Sequence, residues 1–470
     1  MLKATTETRV LGQTTKWIRT DRPFNFPTSV RQALQILDDA GHIAYIVGGS
    51  VRDFLLGPEW TKKTKDHDIA TSASPDDLVR LFPNAVTVGK AFGVIKVPVE
   101  DSRSPFLEIA TFRKDLEYKD HRHPTGILFA GPTEDARRRD FSINGLFYDP
   151  KTARILDVVD GIDDLRKKVI RAIGNPMERF KEDALRLLRA VRFSTYLGFD
   201  LDPATADAIR ARARLISKVS GERVRDELTL MWTGPRPMKA LKLLSDLGLL
   251  VHILPELDKL KGLENFQNSP GDGDVWSHTL KVVDVLAKQN EARMPQLAWA
   301  ALLQDIGKPI AARRSSKKNF NAHELDGAKI AKDIGERLKM AKSDIDVIAW
   351  MVEEHLKFRE VFQMRESTLQ RFIRQPGFDQ LLKLYRAEAT ATDGNLAFYE
   401  FCASRYDEYQ KRAKLEGEAK LISGEDLIQL GLSPGPKFSE ILRTIEDLAL
   451  EKKLHSKEEA LEFVVKNFVG

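Results

Sequence analysis

Two adjacent glycines, Gly48 and Gly49, separate a predicted strand from a predicted helix. The segment 43–47 is a β-branched and aromatic run, and the segment 51–56 is helix-like and ends at a Gly-Pro pair. Paired glycines let the backbone approach a ligand closely, and the free N–H groups of a helix start favour a triphosphate. Arg52 adds a positive charge there. The unit predicts a phosphate-binding turn, with an ordinary turn as the alternative.

An acidic pair follows at Asp66 and Asp68. Alternate residues of a strand face the same side, so both carboxylates would face one cleft. Two such oxygen ligands suit Mg²⁺, which completes its shell with water and substrate phosphates. Glu108, in the strand-like segment 106–111, is a third acidic candidate on the same face of the sheet. The alternatives are a solvated strand end for the pair and a simple ion-paired glutamate for Glu108.

A charged helix is predicted after the Asn175-Pro176 start signal. Asp183 and Arg186 would lie one turn apart on the same face of this helix. The same three-residue step continues at Arg189 and Arg192. Taken alone, such a helix is more typical of a protein surface with salt bridges than of a binding site.

Five ordered motifs resemble the class II tRNA nucleotidyltransferase and bacterial poly(A) polymerase superfamily. They are Gly-Gly-x-x-Arg-Asp with Asp-x-Asp at 48–68, Arg-Arg-Asp-Phe-x-x-Asn-Gly at 138–145, Asp-Val-Val-Asp-Gly-Ile-Asp-Asp-Leu at 157–165, Glu-Asp-x-x-Arg at 182–186 and Glu-Arg-Val-Arg-Asp-Glu-Leu at 222–228. Because all five occur in the same order as in the family, the resemblance is specific.

The resemblance implies an enzyme in which the 3′-hydroxyl of an RNA attacks the α-phosphate of a nucleoside triphosphate, with two Mg²⁺ ions as cofactor. Asp66 and Asp68 would be the catalytic metal ligands, supported by Glu108. The nucleotide-binding residues implied are Gly48, Gly49 and Arg52 in the turn, Arg139, Arg189 and Arg192 at the triphosphate, and Asp140 and Asn144 at the ribose.

The pair Asp183 and Arg186 predicts which base is accepted. Cytosine and adenine both offer an amine donor beside a ring-nitrogen acceptor, whereas uracil and guanine offer a carbonyl acceptor beside an N–H donor. An Asp acceptor near an Arg donor therefore fits C and A. A rejected base would leave a buried polar group unpaired, at a cost of about 1–3 kcal/mol per contact. The pair is expected to act as a protein template.

A long charged segment at 111–124 lies between the first two motifs. It resembles the flexible loop with which CCA-adding enzymes switch from C to A, and which CC-only enzymes lack. The switching residues implied by this resemblance are Arg113, Asp115, Tyr118, Asp120 and Arg122. A solvated, inert loop is the alternative, but the presence of the segment disfavours a CC-only enzyme.

A second resemblance lies downstream. HD-type metal phosphohydrolases carry His, His-Asp, His, His and Asp as ligands, and the chain has matching residues at His278, Asp305, His323, His355 and Asp393. The histidine of the central pair is replaced by Gln304. A neutral amide is a far poorer ligand than imidazole for a transition metal, so the paired-metal centre loses a primary ligand. A helical scaffold with at most a residual metal site is expected.

The fold class expected is α+β. A polymerase-beta-like nucleotidyltransferase head, a small mixed sheet with helices, is expected at 25–165, followed by an all-α remainder. That remainder would comprise a helical neck and body for base selection and RNA binding at 166–262, a degenerate HD-like domain at 263–400 and a tRNA-binding helical tail at 401–470.

Composition agrees with this division. At 470 residues and 42% hydrophobic, the chain is long enough for three or four domains, and a net charge of +5 means that RNA binding must come from clustered basic residues. Cys402 is the sole cysteine, which fits a reducing compartment and a cytoplasmic location. No run approaches the roughly 18 apolar residues of a membrane span. The Lys, Arg and Thr content of the first 20 residues leaves an organellar transit segment open.

The leading hypothesis is template-independent addition of CCA to tRNA 3′ ends, with tRNA, CTP and ATP as partners. The alternative of the same class is an A-adding enzyme or a poly(A) polymerase that uses only ATP, which no clear feature of the sequence excludes. An HD-type phosphohydrolase, in which the helical half is the active one, is the alternative of another class.

Overall fold

The computed structural model describes residues 2–10, 13–64, 66–87, 93–102, 104–116, 126–264, 273–314, 319–416 and 421–469. The chain divides into two compact units, Met1–Pro255 and Glu256–Gly470. Within the described residues, every strand lies in the first unit and the second is built of helices. The predicted α+β class is confirmed.

The first unit is organised around one mixed sheet with the strand order β1-β2-β10-β9-β3-β4-β6-β5. In it, β4 and β6 run parallel and the other neighbours are antiparallel. Two small sheets are β7-β8 and β11-β12. The strands are β1 (Leu2–Val10), β2 (Gln13–Thr20), β3 (Ala44–Val47), β4 (Asp68–Thr71), β5 (Val94–Pro98), β6 (Phe106–Thr111), β7 (Arg113–Asp115), β8 (Ile127–Phe129), β9 (Leu146–Asp149), β10 (Arg154–Asp157), β11 (Val169–Ile170) and β12 (Asp200–Leu201).

Helices cover this sheet and continue beyond it. They are α1 (Thr28–Asp39), α2 (Gly49–Leu56), α3 (Pro58–Thr61), α4 (Pro75–Leu81), α5 (Pro132–Arg137), α6 (Gly161–Lys167), α7 (Pro176–Glu182), α8 (Arg186–Leu197), α9 (Pro203–Arg212), α10 (Gly221–Trp232), α11 (Pro237–Asp246) and α12 (Leu250–Ile253), with 3₁₀ turns at Ser142–Asn144 and Ala213–Lys218. One cluster of buried side chains packs together in this unit: Val47, Ala70, Phe112, Ala136, Phe147 and Leu156.

The sheet starts earlier in the chain than the expected head boundary at 25. Strand β2 pairs with β10 in the main sheet, with Ile18 opposite Ile155, and β1 pairs with β2. Ile18 is buried. Strands β1 and β2 therefore belong to the main sheet, with β1 at its edge and β2 paired on both sides.

The expected single helix from Pro176 onward is interrupted at Asp183. Helix α7 ends at Glu182, Asp183 is extended with φ −137° and ψ 105°, and α8 begins at Arg186. The Asp183 carboxylate accepts the backbone N–H of Leu185 at 3.0 Å, a bond that favours a helix start over a helix interior. Asp183 and Arg186 thus flank a helix start, which corrects the expectation of one continuous helix face.

The second unit is helical. Its helices are α13 (Pro255–Asp258, at the boundary), α14 (Val275–Lys288), α15 (Pro295–Leu303), α16 (Lys308–Arg314), α17 (His323–Arg337), α18 (Lys342–Glu354), α19 (Glu366–Ile373), α20 (Phe378–Thr392), α21 (Ala397–Glu416), α22 (Gly424–Gln429), α23 (Pro436–Leu450) and α24 (Lys457–Phe468), with a 3₁₀ turn at Lys357–Glu360. The last three helices enclose their own apolar cluster: Ile422, Leu427, Ile441, Ile445, Ala460 and Val464. Among the described helices, none has the length and apolar character needed to cross a membrane.

Candidate functional site

The glycine turn lies against both a carboxylate and a guanidinium. Gly48 has φ 74° and caps helix α2, which begins at Gly49. A Cβ atom on Gly48 would lie 3.3 Å from Arg139 Nη1 and 3.7 Å from Asp68 Oδ2. The first N–H groups of a helix placed here point toward a bound anion. The turn therefore joins the predicted phosphate site to the predicted metal site.

Three carboxylates come together at the edge of strands β4 and β6. Asp68 is the first residue of β4, and β4 pairs in parallel with β6 so that Ile69 lies opposite Ile109. The same register places Glu108 beside Asp68. Asp66 is exposed just ahead of the strand. The structure thus brings the two aspartates and the candidate third acid to one side of the sheet.

Electrostatics at this edge fit a cation. Burial raises the pKa of Asp68 to about 6, and the charges of Glu108 and Asp66 add to this rise. Arg139 and Lys96 oppose it, and Lys96 Nζ lies 2.8 Å from Glu108 Oε1. Because these positive charges do not cancel the rise in the pKa of Asp68, the carboxylates suit a hard divalent cation as a further positive partner. Asp66 and Asp68 could therefore hold a divalent cation, with Glu108 beside them.

Arg139 is held in place by a buried acid that the sequence reasoning missed. Its Nη2 and Nε lie 3.1 Å and 3.3 Å from Asp135 Oδ2, and its guanidinium lies 5.0 Å from the centre of the Phe147 ring. The Asp135 side chain is buried. Because two nitrogens of the guanidinium are fixed by one carboxylate, Arg139 is oriented before any ligand binds.

The predicted ribose residues form a chain of hydrogen bonds with the turn. Asn144 Nδ2 donates to Asp140 Oδ1 at 3.1 Å, and Arg52 Nη1 donates to Asn144 Oδ1 at 2.8 Å. Arg52 is buried and also donates to Asp53. Burial disfavours the ionised form of Asp140, but Arg189, at 2.8 Å, outweighs it and holds the pKa near 2. Arg52 thus orients Asn144, and through it Asp140, from within the core.

The two predicted base-selecting residues, Asp183 and Arg186, have separate partners. Asp183 is bound by both terminal nitrogens of Arg223, at 3.2 Å and 2.9 Å, in a two-pronged ion pair. Arg186 Nη1 donates to Glu182 Oε2 at 2.7 Å, and its Nη2 donates to the carbonyl of Arg138 at 3.1 Å. An oriented carboxylate and an oriented guanidinium therefore stand at the start of α8.

The remaining arginines of α8 share one buried acid. Arg192 Nε lies 2.6 Å from Glu227 Oε2, and Arg189 Nη1 lies 3.7 Å from Glu227 Oε1. The Phe193 ring lies beneath them, with the guanidinium carbons of Arg192 and Arg189 at 4.2 Å and 5.3 Å from its centre. Arg189 and Arg192 are thus each oriented by a carboxylate, and a guanidinium group is a suitable partner for a triphosphate.

Part of the predicted switching loop lies outside the described residues, namely Tyr118, Asp120 and Arg122. Arg113 and Asp115 are the ends of strand β7, which pairs with β8. The backbone N–H of Arg113 donates to Asp135 Oδ1 at 3.3 Å, so the loop begins at the acid that also holds Arg139.

The second unit contains a buried polar cluster. Ligand atoms of Asp305, His323 and His355 all lie within 4.8 Å of one another. Lys308 Nζ lies 2.9 Å from Asp305 Oδ1, inside the protein. Burial and the neighbouring His323 lower the pKa of His355 to about 4, so its imidazole is neutral. These three residues could hold one transition-metal ion, next to a built-in ammonium.

One member of the expected ligand set, Asp393, is not assembled with the others, whereas His278 Nε2 lies 3.8 Å from Asp305 Oδ2. Asp393 is exposed at the end of α20, and its carboxylate accepts the N–H of Asn395 at 2.9 Å. The Glu388 carboxylate, five residues earlier on α20, accepts a hydrogen bond from Gln304 and lies 2.8 Å from His278 Nε2. The structure therefore does not bring Asp393 into the cluster, since α20 ends before it. A paired-metal centre does not fit these residues.

Several residues of these sites escaped the sequence reasoning. Arg223 and Glu227 fall within the last of the five motifs, but the motif alone gave them no partners. Glu388 lies on α20, five residues before Asp393, and the sequence does not show that the helix ends between Asp393 and the buried cluster. Asp135 precedes the recognised arginine cluster by one helical turn, and that spacing was the available signal.

Comparison with known proteins covers almost the whole chain. The family descriptions that match are "Poly A polymerase head domain" at 44–171, "Probable RNA and SrmB-binding site of polymerase A" at 198–261 and "HD domain" at 275–376. The CCA-adding enzyme of Levilactobacillus brevis is 31% identical over 435 residues, covering 92% of this chain and 95% of that protein. That of Limosilactobacillus reuteri is 32% identical over 422 residues, covering 88% and 90%.

Solved structures agree. The CCA-adding enzyme of Bacillus stearothermophilus in complex with CTP matches with a TM-score of 0.67 at 25% identity, covering 94% of this chain and 98% of that one. The Thermotoga maritima CCA-adding enzyme, determined with tRNA, shares the fold at a TM-score of 0.59 and 19% identity, covering 94% and 96%. Since relatives above 30% identity align over nearly their full length with a chain whose carboxylates, arginines and template pair are assembled as described, the chain belongs to the family of CCA-adding enzymes.

Proposed function

We propose that this protein adds cytidine, cytidine and adenosine in succession to the 3′ end of tRNA, using CTP and ATP. One observation carries the specificity: Asp183 and Arg186 stand, already oriented, at the start of α8, with Arg189 and Arg192 on the following turns of the same helix. A base paired with the first two residues places its triphosphate toward the other two. The reducing setting expected for a chain with one cysteine suits a cytoplasmic enzyme.

Each residue has a defined task in this proposal. Asp66 and Asp68 would hold Mg²⁺, which supplies charge neutralisation at the phosphates and a lower pKa for the attacking hydroxyl. Asp140 and Asn144 would receive the ribose, because the hydrogen bond between them fixes the orientation of both side chains. Arg139 would bind the triphosphate beside Gly48, because the Gly48 backbone lies close to the Arg139 guanidinium.

The alternatives have less support. Every named relative reported above is a CCA-adding enzyme, which disfavours a polymerase restricted to ATP. A phosphohydrolase in the second unit is disfavoured by its chemistry, because Gln304 replaces an imidazole and Asp393 is exposed. The Asp305, His323 and His355 group is better explained as part of a helical scaffold.

A tRNA lacking its last three nucleotides tests the proposal. Incubated with CTP and ATP together, it should grow by three nucleotides and stop, with CTP alone by two, and UTP or GTP should not be used. Asp68→Asn should abolish extension, while Asp305→Asn, which disturbs only the second unit, should retain it. Growth with ATP alone on the shortened tRNA, or extension that survives Asp68→Asn, would contradict the proposal.

A further inference from the structure

Helix α10 carries two charged residues that contact both halves of the nucleotide-binding machinery. Arg223 and Glu227 are four positions apart, and residues with this spacing lie on one face of a helix. Arg223 binds Asp183, which lies just before α8, and Glu227 binds Arg192, which lies on α8. The two contacts join positions 40 and 35 residues apart in the chain.

We propose that Arg223 and Glu227 are positioning residues: Arg223 sets the orientation of the base-selecting carboxylate, and Glu227 sets the orientation of the triphosphate arginines. This inference rests on the proposed function of Asp183, Arg189 and Arg192. It goes beyond that function because neither residue of α10 has to touch the nucleotide.

The geometry at Asp183 explains the first assignment. Asp183 lies outside any helix, so its backbone does not restrict the carboxylate plane as a helix would. The two-pronged bond from Arg223 fixes both oxygens, and the N–H of Leu185 adds a third donor at 3.0 Å. A planar guanidinium defines the plane of the carboxylate, which a lysine ammonium cannot do. The remaining lone pairs then face one direction, as discrimination between amine and carbonyl edges requires.

Burial explains the second assignment. Glu227 is 6% exposed and lies beneath two guanidinium groups. Arg192 uses its Nε for this bond, and among the described residues no hydrogen-bond acceptor is bonded to its two terminal nitrogens. Arg189 is also paired with Asp140 at 2.6 Å, so two carboxylates orient the two guanidinium groups and leave the terminal nitrogens of Arg192 for a phosphate chain. Without Glu227 the two guanidinium groups would repel each other and separate.

The two residues should therefore have separable effects. Arg223 acts on the choice of base, so its loss should change the ratio of correct to incorrect nucleotide. Glu227 acts on the triphosphate, which is the same in every nucleotide, so its loss should weaken all nucleotides alike. A merely structural role of α10 would instead produce the same defect from either change.

The experiment measures kcat/KM for CTP and for UTP on tRNA lacking its last three nucleotides, using the full chain. Arg223→Lys is expected to reduce the CTP-to-UTP ratio by about 10-fold or more, because one misaligned hydrogen-bond pair is worth about that factor. Glu227→Gln is expected to raise the KM for CTP about 10-fold while leaving the ratio unchanged. Arg80→Met, which removes an exposed arginine paired with Asp77 on helix α4, is the control and should behave as wild type.

The outcomes are distinguishable. If Asp183→Ala loses discrimination but Arg223→Lys keeps it, the inference on Arg223 fails while the proposed template stands. If Glu227→Gln alters the CTP-to-UTP ratio as strongly as Arg223→Lys does, the separation of tasks fails. A wild-type protein that does not discriminate CTP from UTP would overturn both the proposed function and this inference.

Discussion

Asp68 and Glu108 lie side by side on parallel strands, each directly before the paired residues Ile69 and Ile109. Burial and this neighbouring charge are the two largest causes of the raised pKa of Asp68. Lys96 partly neutralises Glu108 from the adjacent strand β5, at 2.8 Å. Glu108 is therefore expected to contribute less than the two aspartates to holding a cation.

The first prediction concerns the rank of the three acids. Asp68→Asn should lower the rate of CTP addition by about 10³-fold, since metal charge stabilisation is worth several kcal/mol. Glu108→Gln should cost about 10-fold, the size of effect typical of a supporting group near a metal. Single-turnover rates at saturating Mg²⁺ measure both. Glu59→Gln, on an exposed side chain of helix α3, is the control, and equal losses from the Asp68 and Glu108 changes would contradict the ranking.

The second prediction concerns the glycine turn. Gly48→Ala should reduce nucleotide binding, because the new Cβ would lie 3.3 Å from Arg139 Nη1 in a backbone conformation that L-residues avoid, at a cost of about 1–3 kcal/mol. Gly41→Ala is the matched control: its φ is also positive, at 80°, but nothing lies within 4 Å of the added Cβ. Thermal unfolding and the KM for CTP separate strain from lost contact. Equal KM changes in both variants would argue against a role for the turn.

The third prediction is a pH dependence of stability. The folded pKa of Asp140 is about 2, below its ordinary value of 3.8, because its bonds to Arg189 and Asn144 outweigh the effect of burial. Its ionised form therefore contributes stability fully above pH 3.8, and this contribution is lost as the pH falls toward 2. The linkage amounts to about 2 kcal/mol.

Asp140→Asn should lower the urea midpoint of unfolding at pH 7. The difference in midpoint between this variant and the wild type should become smaller as the pH falls from 4 to 2. Fluorescence of the buried Trp232 in the same unit offers one readout. Asp207→Asn, on an exposed residue, should leave the midpoint unchanged. A gap between wild type and Asp140→Asn that is constant over this range would show that the linkage is absent.

The fourth prediction concerns the built-in cation of the second unit. Lys308→Met should destabilise this unit by about 3–5 kcal/mol, because Asp305 would keep a buried charge without its nearest partner. Lys288→Met, which removes an exposed lysine paired with Asp284, should change stability by less than about 1 kcal/mol. Thermal unfolding measures the difference in stability between the two variants. Hydrogen exchange of α15 and α17 in the folded protein shows whether the loss lies in the second unit.

Metal analysis completes this test. Purified wild-type protein is expected to retain at most one transition-metal ion per chain in the second unit, since the ligands of a pair are not assembled. Two bound ions per chain in that unit, or equal stability of the Lys308→Met and Lys288→Met variants, would show that the buried cluster has been misassigned.

Local patterns explain which features could be predicted. The strand, glycine turn and helix around Gly48 were predictable because neighbouring residues determine them. The break at Asp183 was not, since its conformation depends on Arg223, which lies 40 residues downstream. The same applies to Glu388 and Asp393: both are acidic residues near a helix end, and only the packing of α20 decides which one is buried. Long-range ion pairs, not local propensity, account for the differences.

The ion pairs of α10 also restrict how this protein can be recombined with its relatives. A chimaera joined between α8 and α10 would leave Asp183, Arg189 and Arg192 facing an α10 from another sequence. If the relative has a different residue at the position of Arg223 or Glu227, a buried charge on the α8 side would lose its partner. Productive crossover points are therefore expected after Trp232, so that both helices are inherited together.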